Sequence, residues 1–326
     1  MARVLVTFKL NEEFKEILER SGESFSIYSG SEPFESWFER ESRDAVVAIV
    51  FPGQPFGEKE ILQSPKLKLI IVHGSGLDKV DIRAASSRGV CVANAPDEIA
   101  VAVAEHSLAL TMAALRKITV GDSIIREGKW VRGIQSSLTG RSIKALQVGV
   151  VGLGRIGSEA ARIFSSLGSR VVYWDRRRKP EIEHALGITY AGLEDLFKTS
   201  DVIIVSIALT EQTRRIIGER EINSMKRGAL LVNVSRGQVI DERALIERLK
   251  KEEIYAALDV FEEEPIGKDH PLSQLRNTVL TPHVAGFTYE ALNGTSKMVI
   301  EWSIDFLRKG KLPYTVVNLE SCSSRL

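Results

Sequence analysis

Val148-Gly149-Val150-Val151-Gly152-Leu153-Gly154-Arg155-Ile156-Gly157 is a run of β-formers that breaks into G-x-G-x-x-G. The following Ser158–Phe164 reads as helix, and a second strand, Arg170–Trp174, ends in Asp175. This strand–turn–helix–strand context predicts a dinucleotide site in place of a merely structural glycine turn. Gly152 permits the tight turn, Gly154 lets a pyrophosphate approach the backbone, and Gly157 lets the helix pack close to the strand. The free N–H groups near Arg155 and Ile156 then face the phosphates with the positive end of the helix dipole. Asp175 stands where an acid would accept the adenosine ribose hydroxyls.

Outward from this segment the chain alternates strand and helix in both directions. Before it, strands are expected at Arg3–Thr7, Phe25–Tyr28, Ala45–Val50, Leu67–Val72 and Val90–Val92. Helices are expected near Asn11–Arg20 (Asn11 as N-cap), Glu35–Arg40, Glu58–Leu62 and Val80–Arg88, then along Ile99–Arg116. After it, strands fall at Val171–Trp174, Val202–Val205, Ala229–Val234, Ile254–Leu258 and Thr278–Leu280, with a last helix over Glu290–Arg308. The expected fold is α/β, with two Rossmann-like, doubly wound parallel-sheet domains. Pro313 and Val316-Val317-Asn318 read as a return to the first domain. The nucleotide-binding domain, 99–288, is then inserted into a discontinuous substrate domain, 1–98 and 289–326.

A chain of 326 residues suits two cores better than one. Hydrophobic content of 44% and a formal charge of +1 favour neither nucleic acid nor an acidic membrane surface as partner. Met1–Leu10 reads as a strand, not a signal peptide, and no stretch reads as a membrane span. Cys91 and Cys322 show no metal or redox spacing, so no metal is expected and a reducing, cytoplasmic setting is the default.

Ligands of open parallel sheets sit at the carboxyl ends of the strands. There, Ala229–Val234 runs into Ser235-Arg236-Gly237, Ala256–Leu258 into Asp259 and on to Glu264-Pro265, and Thr278–Leu280 into Thr281-Pro282-His283. Hydride transfer to a carbonyl needs a proton donor for the developing alkoxide, and His283 is the candidate. A carboxylate beside it, Glu264, would favour the protonated imidazole. A guanidinium can hold both oxygens of a 2-keto acid's carboxylate, a task that fits Arg236. Glu262 and Glu263 read as solvated, and His184 and His270 as surface. His106 reads as packing or interdomain hydrogen bonding, His73 as bordering a loop of uncertain role, and Trp130 as interdomain or subunit packing.

Over essentially its full length the chain resembles the D-isomer-specific 2-hydroxyacid dehydrogenases. The residues that carry this are Gly152–Gly157, Asn233-Val234-Ser235-Arg236-Gly237, Leu258–Pro265 and Thr281-Pro282-His283-Val284-Ala285-Gly286, with His73–Asp81 and Val103-Ala104-Glu105-His106. The resemblance implies that Arg236, Glu264 and His283 are the catalytic trio. It implies that the Gly74-Ser75-Gly76 loop offers backbone N–H groups to the substrate carboxylate across a closing cleft, and that Asp259 meets the nicotinamide carboxamide. Val103, Ile207 and Val234 are assigned as further cofactor contacts, and a homodimer through the nucleotide-binding domain is implied. Ser206 and Ala208 stand where many members have His and Pro, Arg227 replaces a frequent Pro, and Ala145-Leu146 replaces a usual Gly-Lys. None of these touches the trio.

The expected reaction is reduction of a small 2-keto acid to its D-2-hydroxy acid, glyoxylate or hydroxypyruvate foremost. Oxidation of D-3-phosphoglycerate is the alternative. Its relatives often carry Arg at the position of Val72, and the chain leaves no room for a C-terminal regulatory domain. A dinucleotide-sensing corepressor-like protein is a further alternative from another class. Asp175 favours NAD over NADP, while Arg176, Arg177, Arg178 and Lys179 keep NADP open as the second choice.

Overall fold

Five short strands, β1 (Val4–Val6), β2 (Phe25–Ile27), β3 (Val47–Val50), β4 (Leu69–Val72) and β5 (Cys91–Asn94), form a parallel sheet in the order β2-β1-β3-β4-β5. β1, β3 and β4 are buried along their whole length, so they read as unbroken apolar runs instead of alternating ones. Alternate side chains still serve opposite layers. Val4, Val6, Ile49 and Ile71 join Phe14 and Leu18 of helix Glu12–Ser21 and Val299 and Ile300 of helix Tyr289–Lys309. Leu5, Val50, Ile70 and Val72 join Trp37 and Phe38 of helix Phe34–Glu41 on the other side. This computed structural model describes residues 3–322 and divides the chain into two units, Met1–Ile99 with Thr288–Leu326, and Ala100–Phe287.

The second unit holds β6 (Gln147–Val151), β7 (Arg170–Trp174), β8 (Thr189–Tyr190), β9 (Val202–Val205), β10 (Leu230–Asn233), β11 (Tyr255–Leu258) and β12 (Thr278–Leu280). All pair in parallel, in the order β12-β11-β10-β9-β6-β7-β8. The order reverses between β6 and β9, which makes the tip of β6 a topological switch point, the place where such sheets bind ligands. The two doubly wound parallel sheets agree with the fold class read from the sequence. The two-residue β8 at the sheet edge was not expected, because so short a strand carries no periodicity.

Two sequence expectations need correction, and one is met in position alone. Helix Asp97–Leu115 is long and apolar enough to cross a membrane by length and composition, with mean hydropathy 1.4, where no such span was expected. In the fold, Ala100, Ala102, Val103, Ala104, Leu110 and Leu115 of this helix are buried. Asn11 is the N-cap of its helix by position but makes no side-chain cap bond. Cys91 and Cys322 are joined in a disulfide that spans 231 residues of sequence. Such a separation carries no spacing signal, so the pairing was invisible in the sequence.

Candidate functional site

The glycine turn sits at the tip of β6 and runs into helix Arg155–Ser166. Gly152 has φ +92°, a left-handed conformation that only glycine adopts freely, and a side chain there would press on the Ile207 backbone at 3.0 Å. Gly157 packs so closely on the Gly152 carbonyl that no Cβ fits, which holds the helix against the turn. Gly154, in contrast, is exposed, and a Cβ there would meet nothing within 4 Å. The turn is thus braced from beneath and open above, and a pyrophosphate fits that open side. Ser206, which replaces the more usual His, donates its hydroxyl to the Gly152 carbonyl at 2.8 Å and so belongs to the brace. Ile207 is half-buried, while Val103 and Val234 are buried at 6% exposure each.

Asp175 follows β7, and its Oδ2 accepts the Leu153 N–H at 2.9 Å, which ties the tip of β7 to the glycine turn. Lys179 Nζ lies 3.2 Å from the same oxygen and donates to the Leu153 carbonyl at 2.5 Å. Burial pushes the Asp175 carboxyl up, but the Leu153 N–H and Lys179 outweigh it, and it stays below its ordinary range. The basic run therefore divides. Arg178 grips both oxygens of Glu183 at 2.8 Å. Tyr173 donates to the same carboxylate at 2.6 Å, and the Arg178 hydrogen bond foremost holds Glu183 at about 2.

The tips of β10, β11 and β12 lie side by side in the sheet. After β10, Asn233 is buried at 1% exposure; its side chain accepts from the Ser235 N–H at 3.0 Å and donates to the Arg236 carbonyl at 3.0 Å, which folds the chain into a tight hook. Arg236 itself is half-buried, and its Nη1 donates to the Ser235 carbonyl at 2.8 Å. Gly237 abuts the Phe261 peptide with no room for a Cβ, and Gln238 Nε2 donates to the Glu262 carbonyl at 2.5 Å. These contacts bring the loop of Arg236 against the loop of Glu264.

His283 Nδ1 lies 2.7 Å from Glu264 Oε2. The other carboxylate oxygen accepts the Phe261 N–H at 3.0 Å. Burial raises the Glu264 carboxyl, but the His283 hydrogen bond, the Phe261 N–H and the charges of His283 and Arg236 bring it below its ordinary range. With Glu264 ionised, Nδ1–H is the donor and Nε2 is left as the outward nitrogen. The His283 backbone has φ +55°, a conformation that costs a non-glycine residue on the order of 1–3 kcal/mol. Asp259 supplies the compensation. Its carbonyl accepts the His283 N–H at 2.8 Å, and its fully buried carboxylate accepts from Val284 N at 2.9 Å, Ala285 N at 2.8 Å and Thr281 Oγ1 at 2.6 Å. The residue expected to meet the carboxamide is thus first of all the scaffold of the His283 turn. His106 Nε2 joins this network, 3.1 Å from Thr281 Oγ1.

Two readings of the acidic loop change. Glu262 is not simply solvated: its carboxylate pairs with Arg215 at 2.6 Å and its N–H donates to Glu242 at 3.0 Å. His270 lies 3.3 Å from Glu242 and accepts the Leu272 N–H. Arg215, Gln238 and Glu242 are thus supports of the Glu264 loop that motif reading missed. Only the run of three acids hinted that more than one of them had a partner.

In the first unit, Gly74 follows β4 with φ +149°, and a side chain there would press on Pro52 at 2.7 Å. The Gly74 carbonyl accepts from Ala95 N at 3.0 Å and the Ser75 carbonyl from Asn94 Nδ2 at 2.8 Å. Among the described residues the N–H groups of Ser75 and Gly76 donate to no protein acceptor, as an anion-binding turn requires.

His73, just before the loop, is 4% exposed and sits 2.9 Å from Ser296 Oγ, with its ring edge-on to Phe8. Burial lowers its pKa from 6.5 to about 4, with the backbone of His73 and Leu292 opposing. The ring is neutral in the folded protein and would take a proton once unfolded. Its contribution to stability is therefore full above about 6.5 and is lost as the pH falls through about 4, a loss of roughly 3 kcal/mol. Denaturant midpoints at neutral pH and within this acid window should fall more steeply for the wild type than for His73→Gln. Equal slopes would place the acid sensitivity elsewhere.

Comparison with known proteins agrees with this geometry. A family model described as "D-isomer specific 2-hydroxyacid dehydrogenase, NAD binding domain" matches residues 108–285. A glyoxylate reductase of Korarchaeum cryptofilum is 39% identical over 279 residues, 85% of this chain and 83% of that protein. A D-3-phosphoglycerate dehydrogenase of Archaeoglobus fulgidus is 36% identical over 98% of this chain and 60% of its own length. Among solved structures, the NADPH-dependent glyoxylate/hydroxypyruvate reductase of Sinorhizobium meliloti, in complex with NADP and malonate, superposes with TM-score 0.84 at 28% identity, covering 97% of this chain and 96% of that one. The resemblance read from the motifs is borne out: the chain belongs to the D-isomer-specific 2-hydroxyacid dehydrogenase family and is an NAD(P)-dependent oxidoreductase of the hydride-transferring class.

Proposed function

We propose that this enzyme reduces small 2-keto acids, glyoxylate or hydroxypyruvate foremost, to D-2-hydroxy acids. The observation that carries the reading is the His283–Glu264 pair at 2.7 Å on strand tips beside the Arg236 loop. Gly152, Gly154, Gly157 and the helix start at Arg155 and Ile156 would hold the cofactor's pyrophosphate, and Asp175 its ribose. When bound, NAD(P)H supplies the hydride. Arg236 takes the substrate carboxylate in a two-pronged, charge-assisted grip. With both ring nitrogens protonated, His283 gives its Nε2 proton to the carbonyl oxygen as negative charge develops on it, and is left as the neutral imidazole whose Nδ1–H still bonds the ionised Glu264. The free Ser75 and Gly76 amides offer a second set of donors to a carboxylate.

The long match to a phosphoglycerate dehydrogenase favours one second reading, oxidation of D-3-phosphoglycerate. Against it, Val72 is an apolar residue at 1% exposure where an arginine would serve a phosphate. Specificity constants for glyoxylate, hydroxypyruvate and phosphohydroxypyruvate decide between the two. Preference for either unphosphorylated acid supports the reductase, and preference for phosphohydroxypyruvate supports the alternative.

NADH is the proposed preferred cofactor. Asp175→Ala should move the ratio of kcat/KM values for NADH and NADPH towards NADPH, and an unchanged ratio would remove Asp175 from the ribose site. A homodimer through the second unit is proposed as well. Helix Ile118–Arg126 buries none of its residues, and Ile118, Ile125, Trp130 and Val131 are each more than half exposed, an apolar face of the kind a partner copy covers. A cytoplasmic setting remains the proposal, since disulfides do occur in intracellular proteins of heat-adapted organisms.

A further inference from the structure

β5 is an edge strand, and its outer side is not left open. The segment from Pro313 to Cys322 covers it. Val317 N donates to the Val92 carbonyl at 2.9 Å, and Val92 N donates back to Asn318 Oδ1 at 2.8 Å. Asn318 Nδ2 reaches the Val90 carbonyl at 2.9 Å and Ser86 Oγ at 3.0 Å. Thr315 Oγ1 donates to the Asn94 carbonyl at 2.6 Å, and the Cys91–Cys322 disulfide fixes the other end of the segment to the start of the same strand. β5 is therefore clamped at both ends, by a covalent bond below and by Thr315 at the tip.

The tip matters because of what Asn94 does next. Its side chain donates to the Ser75 carbonyl at 2.8 Å, while Ala95 N serves the Gly74 carbonyl at 3.0 Å. With both carbonyls of the loop turned to β5, the Ser75 and Gly76 N–H groups are directed away from it. The orientation of the donor pair thus depends on where Asn94 is held, and Asn94 is held by the segment outside it.

We propose that the disulfide-anchored segment Pro313–Cys322 is a positioning element for the anion-binding loop, acting through Asn94 as its positioning residue. The inference rests on the reading of Gly74–Gly76 as a substrate-carboxylate loop. It assigns to the disulfide a role in substrate affinity besides its role as a staple. Loss of either anchor lets the strand tip move, and the donors are then only intermittently aligned.

Three variants test it, with glyoxylate and hydroxypyruvate as substrates: Cys322→Ser, Thr315→Val and Asn94→Ala. Cys322→Ser and Thr315→Val should each raise the keto-acid KM on the order of three- to tenfold, the weight of one hydrogen bond, with NADH affinity unchanged. Amide exchange in the 73–79 segment should accelerate in both. Because Thr315 acts through position 94, Thr315→Val should add nothing to KM in an Asn94→Ala background. A lowered Tm with unchanged KM and unchanged exchange at 73–79 would overturn the proposal and leave a staple only. If the wild type turns over no keto acid, the functional reading fails, and the exchange experiment still decides this inference by itself.

Discussion

His283→Ala is expected to lower kcat by about 10²–10⁴-fold, the usual contribution of a positioned general acid. The size follows from how the imidazole is held. Nδ1 is tied to Glu264 at 2.7 Å, so a single nitrogen, Nε2, is left for the reaction. The side chain is 45% exposed, so truncating it removes little packing. The turn that carries it is secured through the backbone, by the Asp259 carbonyl and carboxylate, and those bonds survive the substitution. Activity should therefore collapse while Tm and NADH affinity stay near those of the wild type. Steady-state kinetics with calorimetry and NADH titration separate these outcomes. Turnover near the wild-type value would remove His283 from the chemistry. Glu264→Gln should fall between the two enzymes, because it keeps the hydrogen-bonding shape and removes the charge.

Arg236→Ala should reduce kcat/KM for keto acids by about 10²–10⁴-fold, which is the loss of two hydrogen bonds to a charged group. NADH affinity should change little, since the glycine turn and Asp175 belong to other strand tips, those of β6 and β7. The hook that presents Arg236 is built from Asn233, Ser235 and Gly237, so the loop should keep its course without the guanidinium. Arg236→Lys should rescue only part of the loss, because an ammonium cannot grip two carboxylate oxygens in one plane. Parallel losses of NADH binding and turnover would mean that Arg236 serves the cofactor.

Most of the strands follow from signals that are local in the sequence. Buried parallel strands such as Val47–Val50, Leu69–Val72 and Val202–Val205 are short apolar runs between polar helices, and both their number and their direction can be inferred. That Arg236, Glu264 and His283 would gather could be read for a similar reason: each lies in the loop that follows a strand, and parallel strands place their ends on one edge. What escaped reading depends on contacts distant in the chain. Lys179 and Asp175, Arg215 and Glu262, and Cys91 and Cys322 have no common motif, and only the folded chain brings each pair together. Asp259 shows the same limit within a motif. Its position was read as part of a pattern, yet its work as the buried acceptor for three groups around His283 needed the geometry.

The most direct test is the initial rate of NADH oxidation by the purified wild-type protein with glyoxylate and hydroxypyruvate, coupled to chiral analysis of the glycerate formed. Saturable oxidation that yields D-glycerate, and that is abolished in His283→Ala, is the predicted result. No oxidation with either acid, or a product of the L configuration, would contradict the assignment of His283, Glu264 and Arg236 to reduction of a 2-keto acid.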